Sequence, residues 1–207
     1  VGILERKERQ KAELRDTILA AARRIFTEEG AEALTMRRIA DAIEYSPGTI
    51  YTYFANREEI ALQLVREGFE KLLAGLAPAM AVEDPLERLR AIGRAYVAFG
   101  IADRQTYKLI FMEDAAYVYA VLGPSSDSPD ADDPGRRAFG LLTGTIGDAI
   151  ACGAMPPRDA ALAADGLWAA LHGVLSLTIT CPRMMDDPTT VGAFLADTLI
   201  AGLRTPA

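Results

Sequence analysis

From Leu14 onward the apolar residues recur at steps of three and four, and no stretch alternates apolar and polar in the strict twos of a half-buried strand. Leu14, Ile18, Ala21, Ala22, Ile25 and Phe26 form one face of a first helix, which Gly30 closes as a left-handed cap. In "LTMRRIADAIEYS", Thr35 is an N-cap candidate and Ile39, Ala40 and Ile43 share an inner face. Pro47 suits a first helical turn, and Asn56 caps a long helix that runs to about Pro78. Asp-Pro pairs start two more helices, at 84–85 and 187–188. The residues 123–134, "GPSSDSPDADDP", have almost nothing to bury and read as a linker. The expected fold is all-α, with about nine helices. Residues 1–57 make a front domain and 58–207 a larger bundle.

Half of the 207 residues are apolar, enough for a substantial core. No run reaches the ~18–20 uninterrupted apolar residues of a membrane span, and the charged N-terminal residues do not resemble a secretory signal. A cytoplasmic protein without membrane partners is expected, with Cys152 and Cys181 as free buried thiols. No metal-ligand spacing appears, so no metal or cofactor is expected. The net charge of −7 is unevenly spread. Residues 1–57 hold 10 Lys/Arg against 9 Asp/Glu, and the remainder 12 against 20. A neutral head on an acidic body is compatible with DNA contact through the head, because phosphate attraction follows the local surface.

The stretch "TMRRIADAIEYSPGTIYTYF" reads as helix, tight turn, helix, the arrangement that inserts its second helix into a major groove. Ser46 and Gly48 are small enough for backbone N–H groups at the helix tip to approach a phosphate. Thr49 and Thr52 suit base edges or a thymine methyl, and tyrosine hydroxyls reach phosphates. Ile50 and Phe54, four apart, face inward. Arg57 follows as a cation for the flanking backbone.

The run Leu34–Ile60 resembles the N-terminal domain of the tetracycline repressor (TetR/AcrR) family of bacterial transcription factors. The matching pieces are Thr35, Ile39-Ala40, Ser46, Gly48-Thr49-Ile50-Tyr51, Tyr53-Phe54 and Asn56-Arg57-Glu58. The resemblance implies that Thr35 and Tyr51 contact phosphates and that Arg37 reaches a base edge. It also implies that Pro47, Gly48, Thr49, Thr52 and Tyr53 line the groove and Arg57 anchors the backbone. One departure stands out: the family's turn has Gly then Val where this chain has Glu44 and Tyr45. Glutamate lacks glycine's access to left-handed backbone and brings an anion near DNA.

By the same resemblance the rear bundle binds a small effector and joins two protomers. Phe69, Tyr96, Phe99, Tyr107, Phe111, Met112 and Tyr117 are candidates for an apolar pocket, with Tyr119 nearby in sequence. Trp168, His172 and Leu175 join them from one later helix. "WAALHG" (168–173) is similar to a Trp-His-Gly signature of one branch of these regulators. Candidates for the dimer interface are Gly173, Ser176, Val191, Phe194, Leu195, Thr198, Leu199 and Gly202, with Gly192, Ala193 and Ala196 as further small residues for close helix approach. Two paired helices from each protomer would form a four-helix interface and present two heads to a palindromic operator.

The resulting expectation is a ligand-responsive homodimeric repressor, with double-stranded operator DNA, a small largely apolar effector and a second copy of itself as partners. Two other classes compete with this reading, and of these no enzymatic activity is expected. A helical interaction protein with a degenerate DNA-binding head would keep the fold and lose the reading. An enzyme would have to build its site around His172, the one histidine, because the carboxylate pairs Asp132-Asp133 and Asp186-Asp187 fall in loop-like, solvated segments.

Overall fold

Asp and Ser side chains start most of the helices. In the computed structural model, which describes residues 2–113 and 132–205, nine α-helices are present and no strand is found among the described residues. They are α1 (Ile3–Glu29), α2 (Met36–Ala42), α3 (Pro47–Tyr51), α4 (Arg57–Met80), α5 (Pro85–Ala102), α6 (Arg104–Lys108), α7 (Pro134–Ala151), α8 (Ala160–Thr180) and α9 (Pro188–Leu203). A 3-10 turn covers Ala31–Ala33, and a π-helical turn, Leu109–Glu113, continues α6. Tyr117, Tyr119 and residues 123–131 of the expected linker lie outside the described residues.

The caps explain the boundaries. Thr35 Oγ1 accepts from Arg38 N–H (3.2 Å), Ser46 Oγ from Thr49 N–H (3.2 Å) and Asn56 Oδ1 from Glu59 N–H (2.8 Å). Asp84, Asp103, Asp133, Asp159 and Asp187 cap α5 to α9 in turn. Each such cap is worth about 1 kcal/mol. Asp133 and Asp187 are therefore structural caps, and Asp133 is buried (3% exposed) where the sequence suggested a solvated loop. Gly30 does end α1, at φ 89° and ψ 176°, an extended region that only glycine enters freely. Three further expectations need correction. The first helix starts at Ile3 rather than near Leu14, because after Ile3 and Leu4 the residues 5–13 hold Ala12 alone among apolar types and carry no apolar stripe to read. Pro78 lies inside the last turn of α4 instead of ending it. Both cysteines are exposed, since each sits at or just past a helix end.

The chain divides into two compact units, Val1–Glu67 and Gly68–Ala207. In the first, α1 packs on α2 and α2 on α3. Ile18, Ala22, Ile39, Ala40, Ile50 and Ile60 are fully buried, and Phe54 nearly so. Burying each of the larger of these side chains stabilises the unit by about 1.5–3 kcal/mol. The Arg15 guanidinium stacks over the Phe54 ring at 4.9 Å, tying α1 to the end of the helix-turn-helix.

In the second unit α5 is the central helix, touching α6, α7, α8 and α9. Three glycines permit the closest approaches. A Cβ at Gly68 would stand 2.5 Å from Ile110. A Cβ at Gly192 would stand 2.9 Å from Val97, and one at Gly100 would stand 2.6 Å from Leu175. Gly192 and Ala196 are thus used inside the bundle, against α5, rather than on an outer face. Arg88 pairs with Asp148 and Arg90 with Asp197, fastening α5 to α7 and α9. By length and composition α8 is apolar enough to cross a bilayer, but seven of its residues are buried in this bundle.

Candidate nucleic-acid interface and inner cavity

The short helix α3 divides its residues cleanly by face. Ile50 and Phe54 are buried beneath it, while Ser46, Pro47, Gly48, Tyr51 and Thr52 are exposed and Thr49 and Tyr53 are half-buried. Tyr51 keeps 56% of its surface open, far more than a large aromatic placed for packing would. The hydroxyls form a local set: Ser46 Oγ lies 3.0 Å from Thr49 Oγ1, and Thr52 Oγ1 donates to Thr49 O at 2.7 Å. Thr35, Arg37 and Arg57 are exposed as well. Arg37 pairs with Asp41 at 4.0 Å with both side chains solvated, so this contact holds its guanidinium weakly. Arg57 lies 3.4 Å from Glu58. All ten sequence candidates therefore belong to the surface of the first unit.

The turn between α2 and α3 carries the unusual backbone. Glu44 has φ 60°, the one non-glycine residue with positive φ among those described. A side chain there costs about 1–2 kcal/mol relative to glycine. Tyr45 N–H still reaches Ala40 O at 3.0 Å, so the turn closes despite the substitution. The tight turn is retained; what differs is its intrinsic stability.

In the second unit a cavity of about 50 Å³ lies among α4, α5, the π-turn, α7 and α8. Of the ten candidates for an effector pocket, Phe69, Tyr96, Phe111 and Trp168 line it. Phe111 is the hub: its ring centroid lies 5.4 Å from Phe69, 5.8 Å from Tyr96, 4.9 Å from Tyr107 and 6.1 Å from Trp168. Tyr107, His172 and Leu175 sit behind this wall, and Phe99 and Met112 are half-buried away from it. Leu72, Leu76, Ile92, Phe139, Leu142 and Leu167 also line the cavity and were not picked out from sequence. They are ordinary helix-face residues there, and only the packing of α4, α5, α7 and α8 brings them together.

One hydrogen-bonded chain runs behind the apolar wall. Trp168 Nε1 donates to Tyr96 Oη (3.1 Å), Tyr96 Oη lies 2.9 Å from Tyr107 Oη, and Tyr107 Oη lies 2.6 Å from His172 Nδ1. His172 Nε2 then lies 3.1 Å from Ser176 Oγ. Trp168, His172 and Ser176 are successive positions on one face of α8, so the two tyrosines bridge between turns of a single helix. Donation in one direction, tryptophan to serine, satisfies every atom and requires neutral His172 with its proton on Nε2. Burial pushes both phenols above their ordinary range and His172 below its own, so the neutral forms are the stable ones.

Comparison with known proteins accords with both halves. The family described as bacterial regulatory proteins, tetR family, matches residues 18–64. The family described as tetracyclin repressor-like, C-terminal domain, matches residues 89–199, more than half of the chain. The chain belongs to the tetR family of bacterial regulatory proteins. It is 35% identical to the HTH-type transcriptional regulator TcmR of Streptomyces glaucescens over 94 residues, which is 45% of this chain and 40% of TcmR. The chain thus spans less than half the length of that relative. It is 30% identical to the HTH-type transcriptional regulator YhgD of Bacillus subtilis over 155 residues, 71% of this chain and 74% of YhgD. A solved structure from Rhodococcus sp. RHA1, of unknown function, superposes with TM-score 0.76 at 25% identity, covering 93% of this chain and 96% of that one.

In this tetR-family chain the candidates for the dimer interface lie on α8 and α9, and Ser176 departs from the expectation by sharing the inner face of α8 with Trp168 and His172. Phe194 is 66% exposed, and Thr198 and Gly202 follow it on the open side of α9. Val191, Leu195, Leu199 and Gly173 are half-buried, and Ser176 is held by His172. Leu162 and Leu177 are exposed on α8, 69% and 46%, and were not among the sequence candidates. Spaced fifteen residues apart on one helix, they escape a search for small residues.

Proposed function

We propose that this protein is a homodimeric, ligand-responsive transcriptional repressor of the tetR family, acting on operator DNA in the cytoplasm. The observation that carries the reading is the division of α3. Ile50 and Phe54 lock the helix into its unit, while hydroxyls and an exposed tyrosine face outward in the span that matches the family. Thr49 and Thr52 read base edges; Thr35, Tyr51 and Arg57 hold phosphates; Arg37 reaches a base from α2. Residues 1–57 act as the reading head and 58–207 as the sensing and dimerising part.

The effector is small and largely apolar, because the cavity wall is aromatic and aliphatic and its polar atoms already pair with one another. At about 50 Å³ the cavity holds no ligand as it stands, since ligand sites usually measure ~300–1,000 Å³. The described conformation is then the effector-free one, and binding must separate α4, α5, α7 and α8. A shift of α4 carries the change toward the head. By linkage, DNA weakens effector binding by the factor by which effector weakens DNA binding. Dimerisation uses the open faces of α8 and α9, where Leu162, Leu177 and Phe194 are large apolar side chains left exposed.

Selection from a random duplex pool with the purified protein tests this reading. A palindromic consensus, bound by two protomers and released by apolar small molecules, is the expected result. Recovery of no preferred sequence would overturn it.

A further inference from the structure

The opening turns of α1 precede residue 18, where the family match begins. Lys7 and Lys11 are exposed there, one helical turn and about 6 Å apart along the axis. Among the described residues neither forms an ion pair, in contrast to Arg23 and Arg38, which hold Glu67 and Glu29. Both lysines line an open groove of about 790 Å³, with Gln10 and Glu13 on the same helix. Its other side is formed by Tyr45, Thr52 and Tyr53, from the unusual turn and the C-terminal end of the reading helix. The groove is thus continuous with the face that reads DNA and carries two unpaired cations against one anion.

We infer that this groove seats a stretch of the DNA phosphate backbone beside the half-site, with Lys7 and Lys11 each taking one phosphate and the Tyr45 and Tyr53 hydroxyls donating alongside. Sequence-independent lysine contacts of this kind fix register and strengthen binding without adding specificity. Glu13 opposes them and tunes the affinity down. The inference rests on the DNA-binding reading but not on any particular operator.

The test compares wild type, Lys7→Gln/Lys11→Gln and Glu13→Gln on two duplexes, the one recovered by selection with the wild-type protein and an unrelated sequence, across a salt series. Circular dichroism verifies that α1 remains helical; glutamine has nearly lysine's helix propensity. The double variant is expected to bind both duplexes more weakly by the same factor, with the salt slope reduced by roughly 0.9 per lost phosphate contact. Glu13→Gln is expected to bind both more tightly. Wild-type binding with an unchanged slope in the double variant overturns the groove contact and leaves the reading helix standing. A wild-type protein that recovers no preferred duplex overturns the DNA-binding reading itself and the groove contact with it.

Discussion

Tyr107 Oη lies 2.6 Å from His172 Nδ1, and the two rings stack at 5.7 Å between centroids. The contact joins the aromatic hub to the one helix that supplies Trp168, His172 and Ser176. Tyr107→Phe removes the donor to His172 and leaves Tyr96 with one partner fewer, both in a buried setting. The expected loss is about 1–3 kcal/mol of stability. Trp168 is the protein's single tryptophan, so its fluorescence during urea unfolding reports both the stability and any change at the end of this chain.

The same arrangement gives the pH response a sign. Burial lowers the affinity of His172 for a proton in the folded state, with Tyr107, Phe111, Trp168 and Ser176 around it. The unfolded chain therefore binds the proton more readily, and stability present above a pH of about 6.5 is lost as the pH falls below it. Protonation also reverses the Tyr107–His172 bond and leaves one buried tyrosine hydroxyl unpaired. Thermal melts at pH 7.5 and 5.5 are expected to differ more for wild type than for His172→Gln. Asp103 and Asp187 hold their protons less readily than usual as well, Asp103 through Thr106 and Lys71 against an opposing burial effect, and Asp187 through Thr190. Their contribution disappears only in the acid range, below about pH 4.

Glu44→Gly is expected to stabilise the first unit by about 1 kcal/mol, because φ 60° no longer opposes a side chain. It also removes an anion next to the reading helix, so DNA affinity is expected to rise. A melting temperature that falls would show that the glutamate side chain contributes more than its backbone strain costs.

Phe194→Asp places a charge in the centre of the open face of α9. Sedimentation is expected to show monomers where wild type shows dimers, with operator affinity lost in parallel. A variant that remains dimeric would move the interface elsewhere.

The helix-turn-helix was legible in the sequence because its determinants are local. A Thr cap, a Ser cap, a Pro in the first turn and two inward apolar residues four apart define it without reference to any distant residue. The helix count was legible for the same reason, since Asp-Pro pairs announce α5 and α9. The cavity was only half legible. Its aromatic residues advertise themselves, but Leu72, Leu76, Phe139 and Leu142 become wall only when four helices meet. The long polar start of α1 gave no periodic signal, so the groove it forms with Tyr45 and Tyr53 was invisible in the sequence.

The central claim is that the outward face of α3 reads DNA, and the affinity of Thr49→Ala/Tyr51→Phe for the selected duplex tests it most directly. Both side chains lie over a buried Ile50 and Phe54, so the fold is expected to persist. The account predicts a loss of about 2–4 kcal/mol in binding, with discrimination relaxed at the base facing Thr49 and melting nearly unchanged. Unaltered affinity and specificity in a folded double variant would contradict it.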